Sequence, residues 1–219
     1  MSSSASIQDH RDYSAGELIA DGAVHAAALV ARVIAFSVLF QRVATRGSLS
    51  DGVAMAIYAT GFFLVFGFSC AYNMAPRSRV KCLLRRFDHA SIYLMIGGTY
   101  TALLSQIAVS LWAVALACVV WTGSLVGASI RLFLPGRFDR AAIGISFALG
   151  WSALLAIRPL VSALPVDTLA LVFAGGALYS MGLTFYLWQS LKFQNVFWHV
   201  CVAAAAACQF AGVMRMVAR

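Results

Sequence analysis

The chain is poor in charge. Asp, Glu, Lys and Arg make up 11% of its 219 residues, and the carboxylates number eight. A soluble domain keeps about a quarter of its residues charged, so this chain cannot cover itself with a polar surface. Proline is scarce, four in all, so little in the sequence interrupts long helices. The five cysteines (Cys70, Cys82, Cys118, Cys201, Cys208) form no C-x-x-C pair, and four lie in apolar runs. They read as free thiols packed as small hydrophobes rather than as a metal or disulfide framework. The opening MSSSASIQDHRDYSAGE has no basic stretch followed by an apolar core, so no cleaved signal peptide is expected. The first apolar run then serves as its own insertion signal.

Apolar sequence is what the chain has in abundance: 62% hydrophobic residues and a mean hydropathy of +0.85. Several runs reach the roughly 20 residues that cross a hydrocarbon core of about 30 Å. The expected fold is all-α: a polytopic membrane protein with a polar cytoplasmic tail over 1–18 and a seven-helix transmembrane domain over 19–219. Spans are predicted at 20–42, 52–74, 88–108, 110–130, 141–158, 168–188 and 196–214, with Asp21 or Ser14 capping the first. A loop carrying Arg77, Arg79, Lys81, Arg85 and Arg86 separates the second and third.

The net charge of +8 reads as topogenic, because the cations sit between spans. With Arg32 set aside, ten Lys and Arg lie on the N-terminal side and five on the other. Positive-inside then places the N-terminus in the cytoplasm; the localisation expected is multi-pass, in a bacterial-type cytoplasmic (inner) membrane. The expected partners are membrane lipids, with no nucleic acid and no protein partner indicated.

With that topology, polar residues converge at one depth. His25 opens span one, Ser69 and Asn73 close span two, Asp88 and His89 open span three, and Asn195 and His199 open span seven. The pairs Ser69–Asn73 and Asn195–His199 are spaced i, i+4 and each shares one helix face. Ionisable residues inside a membrane segment are costly and point to function. Turned inward, these faces build a polar pocket near the cytoplasmic surface.

The sequence resembles the hemolysin III family, which is related to the adiponectin and progestin receptors. The resemblance is carried by Glu17, Ala20, Asp21 and His25, by SCAYN at 69–73, and by RRFDHASIYLMIGGTYT at 85–101. Trp121, Gly127, Gly150-Trp151, GGALYSMGLTFY at 175–186 and NVFWH at 195–199 extend it over about 17–214. It implies a seven-helix bundle with a zinc ion near the cytoplasmic side. Three histidines hold that zinc, one ending span two and an H-x-x-x-H pair opening span seven, and a serine and an aspartate position its water. Carried over, the serine is Ser69, the aspartate Asp88 and the last histidine His199. Asn73 and Asn195 stand at the other two ligand positions, and Gln209 where relatives often have histidine. An amide lacks the charge and basicity of the usual zinc ligands.

Three readings of the pocket follow. It is a metal-free hydrogen-bonded set, a rewired zinc site using His199 and Asp88 with His89 or His25, or a packing remnant. The function implied is a hemolysin III-like membrane protein with a degenerate zinc pocket. The alternatives are a zinc-dependent lipid amide hydrolase, with Ser69 and Asp88 catalytic, and a membrane-permeabilising, cytolytic protein. Arg32 lies mid-span, seven residues from His25 and so on the same face. It either snorkels from a tilted helix or supplies a fixed cation for an anionic ligand such as a lipid phosphate or fatty carboxylate.

Overall fold

The computed structural model describes residues 13–76 and 78–217. Arg11, Arg77 and Arg219, used in weighing topology, lie outside them, as does most of the polar tail. The described residues form helices and turns without a strand. In order they are α1 (Ala15–Arg46), α2 (Leu49–Met74), α3 (Arg79–Leu104) and α4 (Leu111–Phe133), then α5 (Asp139–Gly150) and a 3-10 turn (Ser152–Ala156). The chain closes with α6 (Ile157–Ala163), α7 (Val166–Leu187) and α8 (Gln194–Val217).

Among the described residues six segments are long and apolar enough to cross a membrane: α1, α2, α4, α7, α8 and the broken stretch Asp139–Ala163. α3 is long enough but more polar. It packs between α2 and α4, with Asp88 and Ser91 buried and Arg79 and Arg86 exposed. This is a multi-pass membrane fold.

Helix ends follow the sequence locally. Ser14 caps α1 with a reciprocal capping box to Glu17, and Ser48 does the same for α2 with Asp51. Asp21 is therefore not a cap but lies inside α1. α3 begins at Arg79, so Arg79, Lys81, Arg85 and Arg86 are helical rather than in a loop, and Asp88 lies well inside the helix. Cysteine also departs from expectation. All five thiols are free, but only Cys201 is buried, and Cys118 faces outward along with much of the apolar surface of α4.

The buried stripe of α1 reads Glu17, Asp21, His25, Ala28, Arg32, Phe36, Leu39 and Val43. Its spacing of three and four is that of one helix face. The stripe changes character along its length, from acidic through His25 and Arg32 to apolar, and so it grades the bundle interior. α2 meets α3 closely where Gly61 faces the Leu94 backbone and Gly98 faces Ile57 and Tyr58. Small residues at such crossings are the usual device for close helix packing in lipid. Between α5 and α6 the helix breaks, and the Tyr100 hydroxyl fills the gap. It accepts from Ala153 N at 2.9 Å and from Ser152 Oγ at 3.0 Å, and lies 3.2 Å from the Leu149 carbonyl.

Candidate metal centre and its cavity

α1 and α8 are tied at their first turns. Glu17 accepts a hydrogen bond at 2.9 Å from the backbone N–H of Phe193, which sits at φ 58° just before α8. That anchor brings Asp21 and His25 of α1 against Asn195 and His199 of α8. Ser69 and Asn73 reach the same place from the end of α2.

His199 Nδ1 lies 2.5 Å from Asp21 Oδ1. His25 Nδ1 lies 2.9 Å from the Asp21 carbonyl. Both acceptors are oxygens without hydrogen, so each neutral ring carries its proton on Nδ1 and presents a lone pair at Nε2. The two Nε2 atoms converge on one hydroxyl, Ser69 Oγ, at 3.0 Å from His25 and 3.3 Å from His199. The rings are nearly perpendicular, with centroids 4.4 Å apart.

A hydroxyl has a single hydrogen and can satisfy only one of those lone pairs. A cation could satisfy both. Asp21, His25 and His199 each offer a ligand atom within 4.8 Å of the others, and all three are buried. Two imidazoles and one carboxylate match the donor set of catalytic zinc sites, which leave a position open. The bond from His25 Nδ1 to the Asp21 carbonyl is of the outer kind that fixes tautomer and ring orientation in such sites. By donor chemistry the residues fit a divalent metal.

Asn73 and Asn195 extend the network but add no ligand of this quality. Asn195 donates to Asn73 Oδ1 at 3.1 Å and reaches Asp21 Oδ2 at 3.4 Å, while Asn73 donates to the Ser69 carbonyl at 2.9 Å. Beside this group lies a cavity of about 110 Å³. Asp88 is buried on its wall and faces Ser69. His89 is half-buried and lines the same cavity near Arg131, outside the group formed by Asp21, His25 and His199. Val65, Ile92, Met95 and Val202 give the wall an apolar part, beside Tyr72, Tyr93, Tyr179 and Tyr186. A wider groove of about 990 Å³ reaches Asp21, His25, Asn73 and Asn195 from the other side, between α1 and the α2–α3 connection.

His25, Ser69, Asn73, Asp88, His89, Asn195 and His199 line one cavity. The carboxylate grouped with His25 and His199 is Asp21 rather than Asp88. Its i, i+4 spacing to His25 was the available signal, obscured by its resemblance to a helix cap. Arg131 was not singled out. It pairs with Asp139 at 2.5 Å and closes the far side of the cavity. Gln209 lies away from the cluster, where its amide donates to the Val172 carbonyl at 3.1 Å. Arg32 lies deeper and lines neither cavity.

A profile of proteins described as "Haemolysin-III related" matches residues 19–210. The chain belongs to that family. It is similar to the protein named Hemolysin-3 of Bacillus cereus, 31% identical over 194 residues and 89% of each chain. It is also 29% identical over 194 residues to the Hemolysin-3 homolog of Bacillus subtilis (strain 168), covering 89% of this chain and 91% of that one. The matched region holds the whole haemolysin-III pocket described above, from Asp21 to His199.

Proposed function

We propose that this haemolysin-III related protein is a membrane-embedded, metal-dependent hydrolase of lipid amides, with its metal held by Asp21, His25 and His199. The observation that carries this reading is the convergence of two imidazole Nε2 lone pairs on the single hydroxyl of Ser69, beside a buried carboxylate. In the proposed topology α3 completes the count of seven spans, the N-terminus is cytoplasmic, and the protein sits in the bacterial inner membrane.

A divalent cation, zinc in this proposal, supplies Lewis acidity, polarising a carbonyl and acidifying a water. The chain supplies the rest. The Asp21 carbonyl holds the His25 ring through Nδ1 and leaves its Nε2 facing the cluster. Asp88, buried on the cavity wall and facing Ser69, takes the proton of the attacking water at its carboxylate and returns it to the leaving amine. Ser69 orients that water through its hydroxyl. The apolar wall receives the acyl chain and keeps bulk water out.

Metal content of the purified protein tests this, with Asp21→Asn alongside. The amide oxygen introduced at position 21 can still accept from His199, so a purely hydrogen-bonded pocket tolerates the change. About one zinc per chain in the unaltered protein and little in Asp21→Asn is the expected result. An absence of zinc from the unaltered protein sinks the proposal. The name of the Bacillus cereus relative favours a second reading, membrane permeabilisation, which dye release from loaded vesicles would detect.

A further inference from the structure

Arg32 is engaged within the bundle. It is buried, donates to the Ala203 carbonyl at 2.6 Å and lies over the Phe62 ring at 4.9 Å, so it does not snorkel. The cations that border open space are on α3. Lys81 and Arg85 stand one turn apart on one face of that helix, and both line the wide groove of about 990 Å³. Arg79 and Arg86 belong to the same basic segment but are exposed and do not line the groove. The groove thus takes in two of these four cations and leaves two outside.

Lys81 is held in place rather than trailing in solvent. Its ammonium donates to the Ala75 carbonyl, at the end of α2, at 2.8 Å and lies 5.2 Å from the Tyr72 ring centroid. Arg85, beside it, brings the planar donor set that suits phosphate. The carboxylates of the groove are turned to protein: Glu17 accepts from Ser14 and Phe193, and Asp21 lies against His199. Apolar side chains make up another part of the lining. Leu18, Ile19 and Met74 line the groove and are exposed. His25, Tyr72, Asn73 and Asn195 border both the groove and the inner cavity, so the groove ends at the metal cluster.

We propose that this groove binds an anionic phospholipid, with its phosphate at Lys81 and Arg85 and its acyl chains against Leu18, Ile19 and Met74. The occupant is a lipid because cations and apolar side chains share one groove, and a soluble phosphate would use only the cations. The groove is also of the size that takes a whole ligand rather than a single ion. A lipid seated there lies at the entrance to the metal cluster. The site stands whether or not that cluster holds a metal.

Native mass spectrometry of the full chain tests this, with chelator present and phosphatidylglycerol titrated into the micelles. Phosphatidylglycerol should bind more tightly than phosphatidylcholine, whose headgroup carries its own cation. Lys81→Gln and Arg85→Gln should each weaken that binding roughly fivefold, the loss of one cation near a lipid phosphate. Arg79→Gln and Arg86→Gln remove the same charge outside the groove and should change it little. Melting curves in phosphatidylcholine report whether each variant folds, and Arg85→Gln carries the test if Lys81→Gln does not. Equal weakening in all four variants would mean attraction to surface charge alone and overturns the proposal. Equal affinity for the two lipids overturns it as well. Displacement of the lipid by millimolar inorganic phosphate would assign the cations to a soluble anion and overturns the lipid site.

Discussion

His199 Nδ1 and Asp21 Oδ1 stand 2.5 Å apart, although 178 residues of chain separate them. That contact joins the first and last helices and sets which nitrogen of His199 is free. Asn195, one turn before His199, reaches the other oxygen of the same carboxylate. Asn195→His would bring a third imidazole to the group at a position already facing it. Zinc binding should tighten by roughly tenfold or more, since imidazole replaces an amide among the donors. Competition with a chromogenic chelator measures this.

Ser69 gives a second prediction. Its hydroxyl is the contact shared by both Nε2 atoms. Ser69→Ala removes the one hydrogen offered to these two buried lone pairs and should cost about 1–3 kcal/mol in the metal-free protein. Zinc meets the same lone pairs and should recover most of that loss. Melting temperatures with chelator and with zinc report the difference. An equal deficit in both would show that the nitrogens do not meet on a metal.

Much of this site could be read before any coordinates. The i, i+4 pairs Ser69–Asn73 and Asn195–His199 fix a face, and hydropathy fixes depth, so their convergence follows from helix geometry. Asp21 was harder to assign, because a carboxylate near a helix start has a common capping role, and only the Ser14–Glu17 capping box rules that role out. Arg131 was out of reach for another reason. It faces the cavity because α4 and α5 are locked by its pair with Asp139, a tertiary contact with no periodic signal. The break after Gly150 was hidden likewise, since its unpaired backbone groups are met by Tyr100, about 50 residues away.

Gly61 tests the α2–α3 crossing. A Cβ there would lie 2.7 Å from the Leu94 carbonyl oxygen and 3.0 Å from the Met95 Cα. These are backbone atoms of a packed helix and cannot swing aside. Gly61→Ala should cost about 1–3 kcal/mol, the usual cost of overpacking. Gly67 has nothing within 4 Å of such a Cβ, so Gly67→Ala should be close to neutral. Paired melting curves of the two variants check the contrast.

Tyr100 gives the last prediction, because its hydroxyl stands in for a helical turn. It accepts from Ala153 N and Ser152 Oγ and approaches the Leu149 and Gly150 carbonyls, so several backbone groups at the break depend on one oxygen. Tyr100→Phe keeps the ring and removes only that oxygen, leaving the Ala153 N–H orphaned. The cost should be about 1–3 kcal/mol, concentrated where the helix is already interrupted. Hydrogen exchange should therefore accelerate over 149–156 and stay unchanged in α1 and α8, which hold the metal cluster. Uniform acceleration across the chain would mean that the break is held by general packing rather than by this hydroxyl.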